Sequence, residues 1–362
     1  MNDSLPPTAA QGVLPDHAIS AMIESGAITA TPAVPEGQIQ PASLDLRLGT
    51  RAYRVRASFL TGAGRTVAER LPEFTMHEMD LSPGAVLEKG CVYVVPLMEG
   101  LALPSDITAV CNAKSSTGRV DCLTRVIADG GAEFDRIPAG YQGPLYAEIC
   151  PRSFSVKIEP GLRLNQIRFR RGQAVLSDDA LKARHAATPL VDQKPLIDDG
   201  LGFSVDLSPK GTTLVGYRAK PHTGVIDLTQ IGAHKTSDFW EQIHSDNGQI
   251  ILDPGAFYIL VSREAVTIPP DCAAEMAPYL AMVGEFRVHY AGFFDPGFGH
   301  GVPARGVLEV RCHEAPFVLE HGQTVGRLVY ETMAEAPSQL YGADIASNYQ
   351  GQGLKLSKHF RD

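Results

Sequence analysis

The feature that most constrains this chain is that it repeats itself. The run GCVYVVPLMEGLALPSD from Gly90 to Asp106 reads against GAFYILVSREAVTIPPD from Gly255 to Asp271, a constant offset of 165 residues. In each copy an apolar run meets a turn, resumes, and closes on Pro-x-Asp, which predicts a strand, a turn and a short second strand. A second block, LYAEI from Leu145, aligns with GVLEV from Gly306, and Gly161 aligns with Gly322, now at an offset of 161. The change from 165 to 161 makes the first copy a net four residues longer between the blocks. Such a chain is expected to fold as two related units.

Within each unit, short Val/Ile/Leu/Tyr runs alternate with Gly and Pro, the rhythm of an all-β barrel or sandwich rather than of βαβ units. The expected organisation is an N-terminal extension over 1–35, a first domain over 36–175, a linker over 176–200, a second domain over 201–335 and a C-terminal segment over 336–362. The stretch LSDDALKARHAATPLVDQKPLIDDG is polar and carries two prolines, which suits a linker. Short helices are expected at 16–27, 178–187 and 237–246, the last with Ser237 as N-cap. Residues 1–15 are expected to be disordered.

Composition narrows the function. With 32 Lys+Arg against 41 Asp+Glu the net charge is −9, which argues against a coat for nucleic-acid polymers and leaves room for a local basic pocket. Trp240 is the one tryptophan, too few for a base-stacking platform. The six cysteines form no C-x-x-C pair and sit in apolar runs, so buried thiols are expected rather than metal ligands. The N-terminus lacks the cationic start and apolar core of a secretory signal, and no apolar run nears the ~20 residues needed to cross a bilayer. A soluble, cytoplasmic protein is expected.

Chemistry concentrates in three places. Lys114-Ser115-Ser116-Thr117-Gly118-Arg119 follows an apolar strand, and small hydroxyl residues beside glycine, flanked by cations, suit a phosphate-binding turn. A solvated loop would read the same way. The second copy has lost both charges and all three hydroxyls at the same offset. The reverse holds for VHYAGFFDPGFG from Val288, a hairpin whose tip carries Asp295, because the first copy has Pro138-Ala-Gly in place of Asp-Pro-Gly. Asp-Pro-Gly is also simply a good turn. Finally, Glu148 and Glu309 each sit inside an apolar strand. Such a carboxylate either faces solvent or points into a pocket, where desolvation would raise its pKa and suit it to general acid/base work.

In order along the chain, PASLDLRLG (41–49), LPSDITAVCNAKSSTGR (103–119), VHYAGFFDPGFG (288–299), GVLEV (306–310) and NYQGQGLKLSKHF (348–360) resemble the dCTP deaminase branch of the dUTPase-like superfamily, in a double-length bacterial form. The resemblance implies two tandem dUTPase-like β-clip barrels with a few short helices, assembled as trimers or pseudo-trimers in a homo-oligomer. It implies an active site between neighbouring barrels. Carried over, the turn maps to Lys114 (where Arg is usual), Ser115, Ser116 and Arg119. The sugar-end aspartate maps to Asp295 and the catalytic glutamate to Glu309, with Glu148 as its alternative. A lid closing over the triphosphate maps to Tyr341, Tyr349 and Gln352, and Asn348 stands where Lys is usual. Each copy then holds a complementary half, which predicts one composite site per pair of copies.

The resemblance implies conversion of dCTP to dUTP and ammonia, with dTTP as a candidate feedback inhibitor. Magnesium would enter with the triphosphate. Zinc is not expected, because the H-x-E…P-C-x-x-C signature of zinc deaminases is missing and the eleven histidines form no ligand cluster. Glu309 would take a proton from water and return it to the base, while Ser115 and Arg119 position and polarise the reacting groups. The rivals are a dUTP pyrophosphatase or bifunctional enzyme on the same fold, and an inactive nucleotide-binding regulator.

Overall fold

The computed structural model describes residues 10–278, 286–289, 292–342 and 351–361. Each copy is a pair of antiparallel sheets. In the first, strands Ile107–Ala113, Arg163–Arg171 and Ser43–Arg47 form the centre of one sheet. The other sheet runs Cys122–Ala128, Gln142–Pro151, Val92–Ala102, Arg51–Val55, Thr75–Asp80. The second copy repeats this plan, with Leu201–Ser204, Thr324–Thr332 and Cys272–Pro278 in one sheet and Leu214–Ala219, Phe257–Val266 and Ala304–Cys312 in the other.

The registers superpose the copies rung by rung. Val94 lies opposite Glu148 and Ile259 opposite Glu309. Ala109 lies opposite Phe169 and Ala274 opposite Tyr330. Both pairs of rungs reproduce the offsets of 165 and 161 read from the sequence. The ladder also shows that a residue shared at the offset keeps its contact. Glu99 is buried and accepts the backbone N–H of Arg47 at 2.8 Å; Glu264, 165 positions on, accepts that of Ser204 at the same distance. A buried carboxylate must have donors, so the same strand ending recurs beneath different side chains.

The repeat extends into both segments read as connections. Leu14 donates its N–H to Phe169 and Leu176 donates to Tyr330, and a helix follows each, at Asp16–Glu24 and Asp178–Ala187. The expected extension 1–35 therefore supplies, from residue 10 on, a strand at Gly12–Val13 and a helix whose Ile19 enters the first core. The expected linker 176–200 likewise supplies Leu181 and Leu190 to the second core. Of the stretch expected to be disordered, residues 10–15 are ordered by pairing with Arg163–Arg171, and residues 1–9 lie outside the described residues.

The helix expected over 237–246 is corrected. One helical turn, Thr236–Phe239, gives way to a strand at Trp240–His244, and Lys235 rather than Ser237 occupies the N-cap position. Sheet pairing with Leu214–Ala219 wins because it buries Trp240, which stacks edge-on against Phe154 of the first copy at 5.4 Å. Phe257 and Ile259 of the second copy enter the same core as Tyr93 and Ile149 of the first, so the two copies share buried apolar surface along one face. A further helix, Val67–Phe74, opens with a capping box at Thr66 and Glu69. The six cysteines are thiols rather than disulfides, all buried but Cys91. Among the described residues no helix is long and apolar enough to cross a membrane.

Candidate active site

The join between the copies brings together the residues singled out in each. Lys114-Ser115-Ser116-Thr117-Gly118-Arg119 leaves the strand Ile107–Ala113 and closes into a single helical turn at Ser115–Gly118. Facing it is the second copy's hairpin. Gly292 lies so near that a Cβ there would be 3.5 Å from the Ser115 hydroxyl. Glu309 lies on the strand Ala304–Cys312, close enough to Arg119 for the guanidinium to act on its charge. Its carboxyl is buried, and burial pushes its pKa well above the ordinary glutamate value; the Arg119 guanidinium opposes that shift and Asp121 adds to it.

Two residues along the same face of the strand, Arg311 pairs with Asp121, which also accepts the Ser153 hydroxyl at 2.6 Å. Asp121 has a left-handed backbone at φ 52° and is completely buried, so it ends the turn after Arg119 and ties the first copy to the strand that carries Glu309.

The C-terminal segment crosses the same join. Gln352 accepts from Arg119 at 2.9 Å and donates to the Arg305 carbonyl at 3.3 Å, and Ser357 donates to the Ser116 carbonyl at 2.8 Å. Arg119 also donates to the Lys355 carbonyl at 3.1 Å. Tyr341 is anchored by its N–H on the Pro296 carbonyl at 2.9 Å, with its ring 5.7 Å from that of Phe298. Tyr349 and Asn348 lie outside the described residues. The segment is less polar in its placement than in its composition. Leu356 is buried in the first core, Phe360 packs on Trp240 at 5.8 Å, and Phe360–Arg361 pairs with His234–Lys235.

A basic group lies beside the turn. Lys114 donates to the Asp45 carboxylate, Arg163 approaches its other oxygen at 3.6 Å, and Lys358 is close enough to both cations that they, with burial as the larger cause, hold its pKa down. Asp295 sits within the field of Lys114. Cations crowded in this way would be relieved by an anionic group, and a phosphate chain supplies one.

Glu148 has a different setting. It lies directly opposite Arg125 in the ladder, the position His289 holds opposite Glu309. The Arg125 guanidinium pairs with the Glu148 carboxylate, donates to the Ser58 hydroxyl at 3.1 Å and covers the Phe134 ring at 3.6 Å. Phe59, Val67 and Leu71 of the segment around the helix Val67–Phe74 pack on Val94, Ile127 and Tyr146 beside it. In the first copy this face is filled by the chain's own segment 56–74, whereas the segment at the matching place in the second copy, 220–239, sends Ile226 and Leu228 into the core shared by the copies.

Asp45, Asp121, Arg163, Arg168 and Lys358 were not singled out from the sequence. Asp45 lay inside the quoted run PASLDLRLG, and the alternation of Arg168 and Arg170 with Ile167 and Phe169 was the available signal for two arginines turned away from the first core.

The sequence profile of the 2′-deoxycytidine 5′-triphosphate deaminase (DCD) N-terminal domain matches residues 10–173, and that of the C-terminal domain matches 177–360. The chain belongs to the dCTP deaminase family. It is 54% identical to a 2′-deoxycytidine 5′-triphosphate deaminase from Agrobacterium tumefaciens of known crystal structure, with a TM-score of 0.89 over 93% of this chain and 100% of that one. Relatives of single-copy length match about half of it. A dUMP-forming dCTP deaminase of Methanothermobacter thermautotrophicus is 30% identical over 52% of this chain and 95% of its own. A dCTP deaminase of Actinobacillus succinogenes is 28% identical over 46% and 85%. The fold is thus that of a dCTP deaminase with two dUTPase-like domains in one chain.

Proposed function

We propose that the chain hydrolyses dCTP to dUTP and ammonia at one composite site per chain, built from the first copy's turn, the second copy's hairpin and the C-terminal segment. The observation that carries this reading is Glu309, a buried carboxyl at the join of the copies with Arg119 as its charged neighbour, in a chain of the deaminase family. Water attacks C4 of the cytosine ring and Glu309 relays its protons: one ends on ring N3, the other on the amino group, whose bond to C4 breaks to release ammonia as the water oxygen becomes the C4 carbonyl. A carboxyl whose proton affinity is raised by burial can both accept and return a proton. Arg119 stabilises the ionised form of Glu309, and the Ser115 hydroxyl, near Gly292, polarises the reacting groups. Asp295 holds the sugar end, while Lys114, Ser116, Tyr341, Tyr349 and Gln352 hold the nucleotide.

No zinc enters this route. What supports that reading is the donor set: among the described residues no three of His, Cys, Asp and Glu gather as a metal site. The same observation leaves magnesium to be carried by the triphosphate rather than by a protein cage. The reaction belongs in the cytoplasm, where its substrate is made, and in a homo-oligomer.

A second reading, further hydrolysis to dUMP, is favoured by the relatives named dUMP-forming. Incubation with dCTP and magnesium, with ammonia, dUTP, dUMP and pyrophosphate measured separately, decides between them. Equal ammonia and dUTP is the expected result. Equal ammonia, dUMP and pyrophosphate establishes the second reading, and no ammonia at all removes both.

A further inference from the structure

Arg168 of the first copy is fully buried, yet it points across the join into the second copy. One guanidinium nitrogen donates to the Ala274 carbonyl at 2.9 Å and lies 3.2 Å from a Glu331 oxygen. The other donates to the Phe294 carbonyl at 3.3 Å and to the Asp295 carboxylate at 3.2 Å. The guanidinium carbon sits 4.1 Å from the centre of the Phe293 ring. The side chain therefore grips the hairpin at three consecutive residues, Phe293, Phe294 and Asp295. Glu331 is itself held from the far side by Arg170, which also reaches Glu275 at 3.0 Å. A planar fork with both ends occupied has no freedom to swing, so the carboxylate it holds is fixed in direction as well as in place.

The repeat shows that this grip works one way only. Arg168 lies opposite Val110 in its ladder, and the matching rung of the second copy places Val329 opposite Glu275. Ile137 pairs with Ala109 and Phe294 with Ala274, which puts Pro138 where the second copy has Asp295. Arginine and aspartate are present together in the direction that builds the composite site, and both are missing in the other. A pair needed only to hold the copies together has no reason to follow that asymmetry; a pair serving a single site does.

We propose that Arg168 is a positioning residue that holds the Asp295 carboxylate in the orientation needed to receive the nucleotide. This rests on the reading of Asp295 as the group at the sugar end. The carboxylate is also within the fields of Lys114, which favours its charge, and Asp45, which opposes it, with burial the largest influence. Burial pushes the Asp295 pKa up; Arg168 opposes that shift and aims the carboxylate without touching the nucleotide itself.

The test is steady-state kinetics on the full chain. Arg168→Lys keeps the charge and loses the fork. It is expected to raise KM for dCTP by about tenfold or more with a smaller change in kcat, the size expected when a charged hydrogen-bonding partner is misplaced. Asp295→Asn should raise KM as well, and adding Arg168→Lys to it should raise KM no further, because both changes disable one contact. If Arg168→Lys does not fold, Arg168→Met with Glu331→Gln removes both charges and leaves no orphaned carboxylate at Glu331; it should show the same KM increase. An unchanged KM in a folded Arg168 variant, or effects of the Arg168 and Asp295 changes that multiply independently, would overturn the proposal. Absence of dCTP turnover in the unaltered protein instead defeats the underlying function, so the two failures are distinguishable.

Discussion

Glu309 and Glu148 occupy the same rung of the same repeat, and their neighbours set them apart. Glu309 is buried with Arg119 in its field and a raised pKa, whereas Glu148 is in direct ion pair with Arg125. Glu309→Gln keeps the shape and cannot accept a proton, so dCTP turnover should fall ~10²–10⁴-fold while dCTP still binds. Glu148→Gln should retain turnover per folded chain; the reverse pattern in a paired ammonia assay would exchange the two assignments. Burial also gives Glu309→Gln a signature in stability. A carboxyl whose folded pKa lies above its unfolded value binds more protons when folded, so its contribution to stability is present in acid and is lost as pH rises from about 4.5 through the folded pKa. The variant lacks that loss. Its melting temperature should exceed the unaltered protein's at neutral pH, with the gap shrinking toward pH 4; a gap independent of pH would show that Glu309 does not titrate in this way.

At the scale of elements, the C-terminal segment acts as a strap tied on both sides of the site. Tyr341 holds one end on Pro296, while Leu356 and Phe360 hold the other in the apolar join. Between these anchors Gln352 accepts from Arg119, so on the proposed reading anchoring and nucleotide binding are coupled. Phe360→Ala should lower stability by about 2 kcal/mol, the scale of one aromatic side chain's burial, and raise KM for dCTP. Limited proteolysis should show faster cutting after position 342 in the variant, and unchanged cutting and KM together would separate the anchor from the site. The segment 56–74, which carries the helix Val67–Phe74, packs differently. It fills the Glu148 face with Phe59, Val67 and Leu71.

For the whole molecule, the copies meet on one face, and the proposed site draws its parts from both. Calorimetric titration with dCTP, using Glu309→Gln to prevent turnover, should give one nucleotide per chain. A stoichiometry of two would show that the first copy's face opens despite the packing of Phe59, Val67 and Leu71 over it. The net charge of −9 coexists with a local group of Lys114, Arg163 and Lys358, because long-range repulsion counts less for binding than a few cations in a part-buried setting.

The duplication and the all-β class were legible in the sequence, because strand periodicity, turn residues and paired offsets are written in local order. The placing of Lys114, Ser115 and Arg119 opposite Asp295 and Glu309 followed from asking which copy retained which residue. Three things were not legible. Trp240–His244 is a strand because Trp240 has a buried partner in Phe154, a residue 86 positions away that no local pattern contains. Arg168 reads as one charge among several in RLNQIRFRR and becomes a buried clamp only when Asp295 is brought across the join. Glu148 and Glu309 look alike in LYAEI and GVLEV, and only the tertiary structure puts Arg125 beside one and Arg119 before the other. Sequence determined which residues each copy could offer; packing decided what each would face, because desolvation and ion pairing depend on neighbours in space rather than in the chain.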